Sequence, residues 1–138
     1  MAITNAADFD KIEGEPLRRV DEDIDALTSL GYEVTDVDLR QETQTSLAEK
    51  LPQYDAVFVS GGNTFWLLEC MKKSGFTALI REFLKKGIYI STSAGSCVCA
   101  PNIEYVKYAD DPSVASLSEY TGLNFVNVGI IPHFNAKK

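Results

Sequence analysis

One serine in this chain is framed by residues small enough to present it as a nucleophile. In Ile88-Tyr89-Ile90-Ser91-Thr92-Ser93-Ala94-Gly95-Ser96-Cys97-Val98-Cys99, a short apolar strand runs into small residues and then into an apolar helix start. Small residues on both sides of a hydroxyl allow a sharp, strained strand-to-helix turn that lifts the apical side chain, the logic of a nucleophile elbow. The apex is Ser93, with Ser91 two before it and Gly95 two after, so the pattern is S-x-S-x-G, with serine where glycine is usual. The same residues also read as a Ser/Gly-rich turn after a buried strand, and context has to separate the two readings.

The strand-then-glycine theme occurs once more upstream, in Asp55-Ala56-Val57-Phe58-Val59-Ser60 followed by Gly61-Gly62-Asn63-Thr64 and an apolar helix from Phe65. Consecutive glycines there expose backbone N–H groups at a helix N-terminus, where a negative group is favoured. A tight strand-helix connection that needs positive φ is the plainer reading of the same glycines. Downstream, the apolar run Phe125 to Ile131 reads as a last strand and ends in Pro132-His133-Phe134, which holds the only histidine of the chain. A lone histidine is more often structural than catalytic. This one follows the end of a predicted strand, where open α/β sheets place their chemistry.

Taken together, Val59-Ser60-Gly61-Gly62-Asn63-Thr64-Phe65, Ser93-Ala94-Gly95 with Pro101 eight residues on, and Ile131-Pro132-His133-Phe134 resemble the aspartyl dipeptidase (peptidase E) family of serine peptidases, to which cyanophycinases are related. The resemblance runs from Asn5-Ala6-Ala7-Asp8 to His133. It implies an α/β fold: a three-layer parallel sheet with helices on both faces, class I glutamine amidotransferase-like with flavodoxin-like topology. It also implies a Ser/His/Asp triad, with Ser93 as nucleophile and His133 as general base. The family's acid lies in a D-x-P segment, matched here by Asp110-Asp111-Pro112, so Asp110 is the first choice and Asp111 the reserve. A triad is defined by geometry, so the order Ser, Asp, His is no obstacle. The reaction would be hydrolysis of a small peptide through an acyl-enzyme, at aspartyl residues, with the Ala94 and Gly62 N–H groups as oxyanion donors. No metal or organic cofactor is needed. Amidotransferases of this fold carry cysteine at the apex, so Ser93 argues against glutamine hydrolysis.

The chain departs from that family in two ways. Ser91 adds a Cβ where the elbow is crowded. Family members are also longer at both ends, so the chain reads as a partial member that starts near their second strand and lacks their closing strands. Two further readings follow: an inactive remnant serving as a scaffold or dimerisation module, and a cyanophycinase-like hydrolase. A sheet without its opening strand exposes unpaired backbone and apolar surface. The expected outcome is a homodimer that covers the exposed sheet, or a weakly stable monomer with little activity.

Composition is that of one ordinary domain, residues 1–138, with 45% hydrophobic and 24% charged residues. A net charge of −7 argues against a nucleic-acid or anionic-membrane surface. Cys70, Cys97 and Cys99 are odd in number, lack C-x-x-C spacing and lie mostly in apolar stretches, which fits reduced thiols in a cytoplasmic protein better than disulfides or zinc. Lys107 could attract an acidic substrate side chain, with Glu104 nearby working against it. Phe65 and Trp66 read as packing residues between helix and sheet.

The elements that must position the site alternate. Ala2 to Thr4 is the stub of a strand, and a helix opens at Glu15-Pro16 with Leu17, Val20, Ile24, Leu27 and Leu30 at helical spacing before Gly31. Tyr32 to Leu39 predicts a strand and Thr45 to Leu51 a short helix; Ala56–Ser60 is a strand, Phe65–Lys73 and Thr77–Lys86 are helices, and Ile88–Thr92 is a strand. Such alternation means a parallel sheet between helices. The strands Ala56–Ser60 and Ile88–Thr92 must be parallel neighbours if the glycine turn and the serine turn are to share one site.

Overall fold

A computed structural model describes residues 1–9 and 18–134, with residues 18–21 described by their backbone alone. The helix start at Glu15-Pro16 therefore lies outside the described residues. In chain order the elements are β1 (Ala2–Ile3), α1 (Arg18–Ser29), α2 (Gln44–Lys50), β2 (Ala56–Val59), α3 (Thr64–Lys73), α4 (Phe76–Phe83), β3 (Ile88–Ser91) and α5 (Ala94–Cys97). Short 3-10 turns follow β1 and punctuate the remainder, including Glu104–Tyr108 and Pro112–Val114. Among the described residues no helix is long and apolar enough to cross a membrane.

The sheet is parallel throughout, in the order β1-β2-β3. Ala56 to Val59 face Ile88 to Ser91 in register, so the two strands expected to be parallel neighbours are so. Residues paired across a parallel ladder share a face. One face therefore carries Val57, Val59, Tyr89 and Ser91, and the other Ala56, Phe58, Ile88 and Ile90. Val57 and Val59 are fully buried, whereas Ile88 is 62% and Ile90 43% exposed. The core forms on the first face, where Ile3, Val57 and Val59 meet Phe65, Leu67, Leu68 and Met71 of α3 and Ile80 of α4. Each such side chain contributes about 1.5–3 kcal/mol by leaving water.

Helix ends are set by local chemistry. Thr43 accepts from the Ser46 N–H while Ser46 Oγ accepts from the Thr43 N–H, a reciprocal cap on α2. The Asn63 side chain accepts from the Phe65 and Trp66 N–H groups, both at 3.0 Å, and Lys72 and Lys73 answer the dipole at the other end of α3. Glu69 on α3 is buried and takes both Lys73 and the Ser116 N–H. Burial alone would raise its pKa, but these two donors outweigh burial and leave the carboxyl below its ordinary value. The same contact docks the segment around residue 116 against α3.

Two predicted strands are absent. Tyr32–Leu39 survives only as a bridge between Asp36 and Ala2, with the Ala2 N–H on Thr35 O at 2.8 Å and the Val37 N–H on Ala2 O at 2.9 Å. The ladder stops because the Leu39 N–H is taken by the Asn5 side chain at 2.9 Å. Phe125–Ile131 is irregular. The N–H groups of Phe125 and Val126 go to Cys99 O, and both backbone polar groups of Ile130 go to the Tyr105 hydroxyl, so none reaches the free edge of β3.

Candidate active site

β3 ends where the Thr92 N–H reaches Val59 O at 3.1 Å, and α5 begins two residues later. Between them Ser93 has φ 43° and ψ −112°, a conformation that non-glycine residues seldom adopt and that costs about 1–3 kcal/mol. Local bonds over-determine it. Ser93 O accepts from the Ser96 and Cys97 N–H groups, and Thr92 O from the Gly95 N–H. On either side of the apex, the Tyr89 hydroxyl donates to Gly95 O at 2.8 Å, and Ser91 Oγ pairs with Ser96 Oγ at 2.9 Å. Ser91, the departure from the usual glycine, thus ties the strand to the helix. Gly95 must lack a side chain, since a Cβ there would stand 2.4 Å from Val59 O.

The glycine turn abuts this serine. A Cβ on Gly61 would stand 2.9 Å from Ser93 Cβ, and one on Gly62, at φ 137°, would stand 2.1 Å from Ala6 O. The Asn63 N–H is held by that same Ala6 O at 2.7 Å. Among the described residues the N–H groups of Gly61, Gly62, Ser93 and Ala94 donate no hydrogen bond, so two turns present free donors side by side. That is a polarity suited to a developing oxyanion.

His133 arrives from the far end of the chain, itself at φ 58°, and its Nε2 lies 2.9 Å from Ser93 Oγ. Asp110 and Asp111 lie against the start of α3. Asp110 accepts the Thr64 N–H at 2.8 Å, and Asp111 accepts the Ser113 N–H at 2.8 Å. That bond holds the Asp111 carboxyl below its usual pKa. Ser93 and His133 thus meet beside the glycine turn, with Asp110 on the first turn of the helix that follows it. Asp110 thereby caps α3 beside Asn63, whose amide donates to Asp111 O at 2.9 Å.

Cys70, Cys97 and Cys99 are free and buried, and burial pushes their thiols up, Cys70 to about 12 and Cys99 to about 11, which disfavours thiolate chemistry. Lys107 bonds Glu104 and lies 4.4 Å above the Tyr120 ring, so its charge is engaged. Phe65 packs edge-on against Tyr120 in the core, while the half-buried Trp66 donates its indole N–H to Asp8 at 2.8 Å. The capping role of Asn63 was open to sequence reasoning, since asparagine directly before an apolar helix signals an N-cap. The brace from Tyr89 was not, because a tyrosine inside a strand reads as a packing residue.

The model of peptidase family S51 matches residues 18–138, most of the chain. This chain belongs to peptidase family S51. An uncharacterised peptidase of Pasteurella multocida is 37% identical to it over 83% of this chain and 56% of its own length. Peptidase E of Nostoc sp. is 34% identical over 87% of this chain and 45% of its own. A crystal structure of a "Putative Peptidase E Protein" from Listeria monocytogenes EGD-e superposes with a TM-score of 0.87 and 33% identity, covering 97% of this S51 chain and 65% of that one. The family and the α/β fold with its parallel sheet therefore stand as the resemblance implied. The S51 chain spans about half the length of the curated relatives it matches.

Proposed function

We propose that this chain carries the catalytic pair of a serine-type dipeptidase that cleaves small peptides, with aspartyl residues as the favoured position. The observation that carries the reading is the 2.9 Å approach of His133 Nε2 to Ser93 Oγ at an apex held at φ 43°. In this reading the strained turn is a nucleophile elbow. Ser93 Oγ attacks the peptide carbonyl, and His133 takes its proton and returns it to the leaving amine. Water then enters by the reverse route to release the acyl group. The Ala94 and Gly62 N–H groups receive the oxyanion, each worth about 2.7–4 kcal/mol. Asp110 is the proposed acid that orients the imidazole, with Asp111 in reserve, and its carboxylate also takes the Thr64 N–H.

His133→Gln should lower kcat by several orders of magnitude and leave the thermal midpoint nearly unchanged, because His133 is exposed. A glutamine variant as fast as the parent would remove His133 from the mechanism.

The second reading is an inactive remnant that serves as a scaffold or dimerisation module. A flat baseline in the peptidase assay, with Ser93 inert toward an acylating probe, would select it. A second copy of this chain is proposed as partner, pairing along the β3 edge, where Ile88 and Ile90 stand exposed. Sedimentation equilibrium should then give a concentration-dependent dimer, and a stable, fully active monomer would rule the pairing out.

A further inference from the structure

We propose that Tyr105 is the positioning residue for His133, clamping Ile130 three residues upstream and thereby holding the imidazole at Ser93. The inference rests on reading Ser93 and His133 as a working pair, but the clamp can be measured by itself. The segment that carries His133 has no ladder to hold it, since residues 125–131 form no strand. Nor does burial hold it: Val128 is 60% and Ile131 54% exposed. Between residues 127 and 134, Ile130 is bonded by one side chain at both its N–H and its C=O, and residues 132–134 form a turn.

Both of those groups go to one hydroxyl. Tyr105 Oη donates to Ile130 O and accepts the Ile130 N–H, each at 2.9 Å, which uses the donor and an acceptor site of a single phenol. Cys97 Sγ adds a weaker contact to Ile130 O at 3.5 Å from α5, the helix that Ser93 starts. Gly129 lets the ring lie flat against the chain, since a Cβ there would stand 3.2 Å from two ring carbons. The other end of the clamp is anchored: Tyr105 sits on a 3-10 turn between the buried residues Ile103 and Val106. Burial raises the Tyr105 pKa, so the phenol stays protonated and able to donate. Fixing one residue by two bonds restricts where a residue three positions on can travel, and misplacement by about 1 Å can cost about 100-fold in rate.

His133 is the only histidine of the chain, so its imidazole gives one set of NMR signals. In the parent protein these signals should move when Ser93→Ala removes the hydroxyl 2.9 Å away. In Tyr105→Phe, which keeps the ring on Gly129, they should move toward those of an unstructured histidine and cease to respond to Ser93→Ala. kcat should fall about 10- to 100-fold with KM and thermal midpoint little changed. Gly129→Leu, which displaces the ring and keeps the hydroxyl, should give the same loss of response and serves if Tyr105→Phe does not fold. An imidazole that still senses the Ser93 hydroxyl in these variants overturns the clamp. Should the parent show no turnover, the proposed function fails, while the NMR comparison still decides the clamp.

Discussion

A fluorophosphonate probe is expected to modify one serine of this protein, Ser93, and Ser93→Ala is expected to abolish both the labelling and the peptidase activity. Where nucleophile and base act as a unit, losing the nucleophile costs about 10⁴- to 10⁶-fold in kcat. The neighbouring hydroxyls provide an internal control. Ser91 and Ser96 are each other's partners at 2.9 Å, whereas Ser93 Oγ alone faces the imidazole. Mass spectrometry of the labelled peptide reads the outcome directly. Modification at Ser91 or Ser96, or undiminished turnover in the alanine variant, would sink the assignment.

The second large effect is expected from a single methyl group. Gly62→Ala places a Cβ 2.1 Å from Ala6 O at a residue with φ 137°, so the turn must move. That movement also strains the bond from the Asn63 N–H to the same carbonyl. If the Gly62 N–H is an oxyanion donor, its displacement lowers kcat about 10²- to 10³-fold, with KM much less affected. Backbone strain adds a stability loss of about 1–3 kcal/mol, measured by denaturant titration. Gly31→Ala is the matched comparison: its φ is 92°, but nothing lies within 4 Å of the new Cβ. It should share the backbone cost and leave kcat alone. Equal rates for the parent and Gly62→Ala would exclude the glycine turn from the oxyanion site.

Reading the chain residue by residue reaches furthest where the constraint is local. Gly61-Gly62 and Ser93-Ala94-Gly95 declare two tight strand-to-helix turns because neither backbone has room for a Cβ at Gly62 or Gly95. The apolar strands before these turns place them at the same end of a parallel sheet. From those facts alone, Ser93 next to free N–H groups could be anticipated. The family could be anticipated as well, since its motifs are those same turns.

Tertiary structure decided what depends on distant partners. Whether Asp110 meets the histidine turns on where the stretch after α5 docks. That docking is set by contacts 46 to 48 residues apart in sequence: Asn63 on Asp111, Thr64 on Asp110 and Glu69 on Ser116. No pattern within the D-x-P segment announces them, so the hold of Asp110 on the first turn of α3 was not legible in the sequence. The run Phe125–Ile131 has the composition of a strand, but strand character is completed by a ladder partner. Here its backbone is claimed by Cys99 O and by the Tyr105 hydroxyl, 25 residues from Ile130. Composition told that this segment was apolar; only the fold showed that a phenol holds it where the histidine can reach the serine.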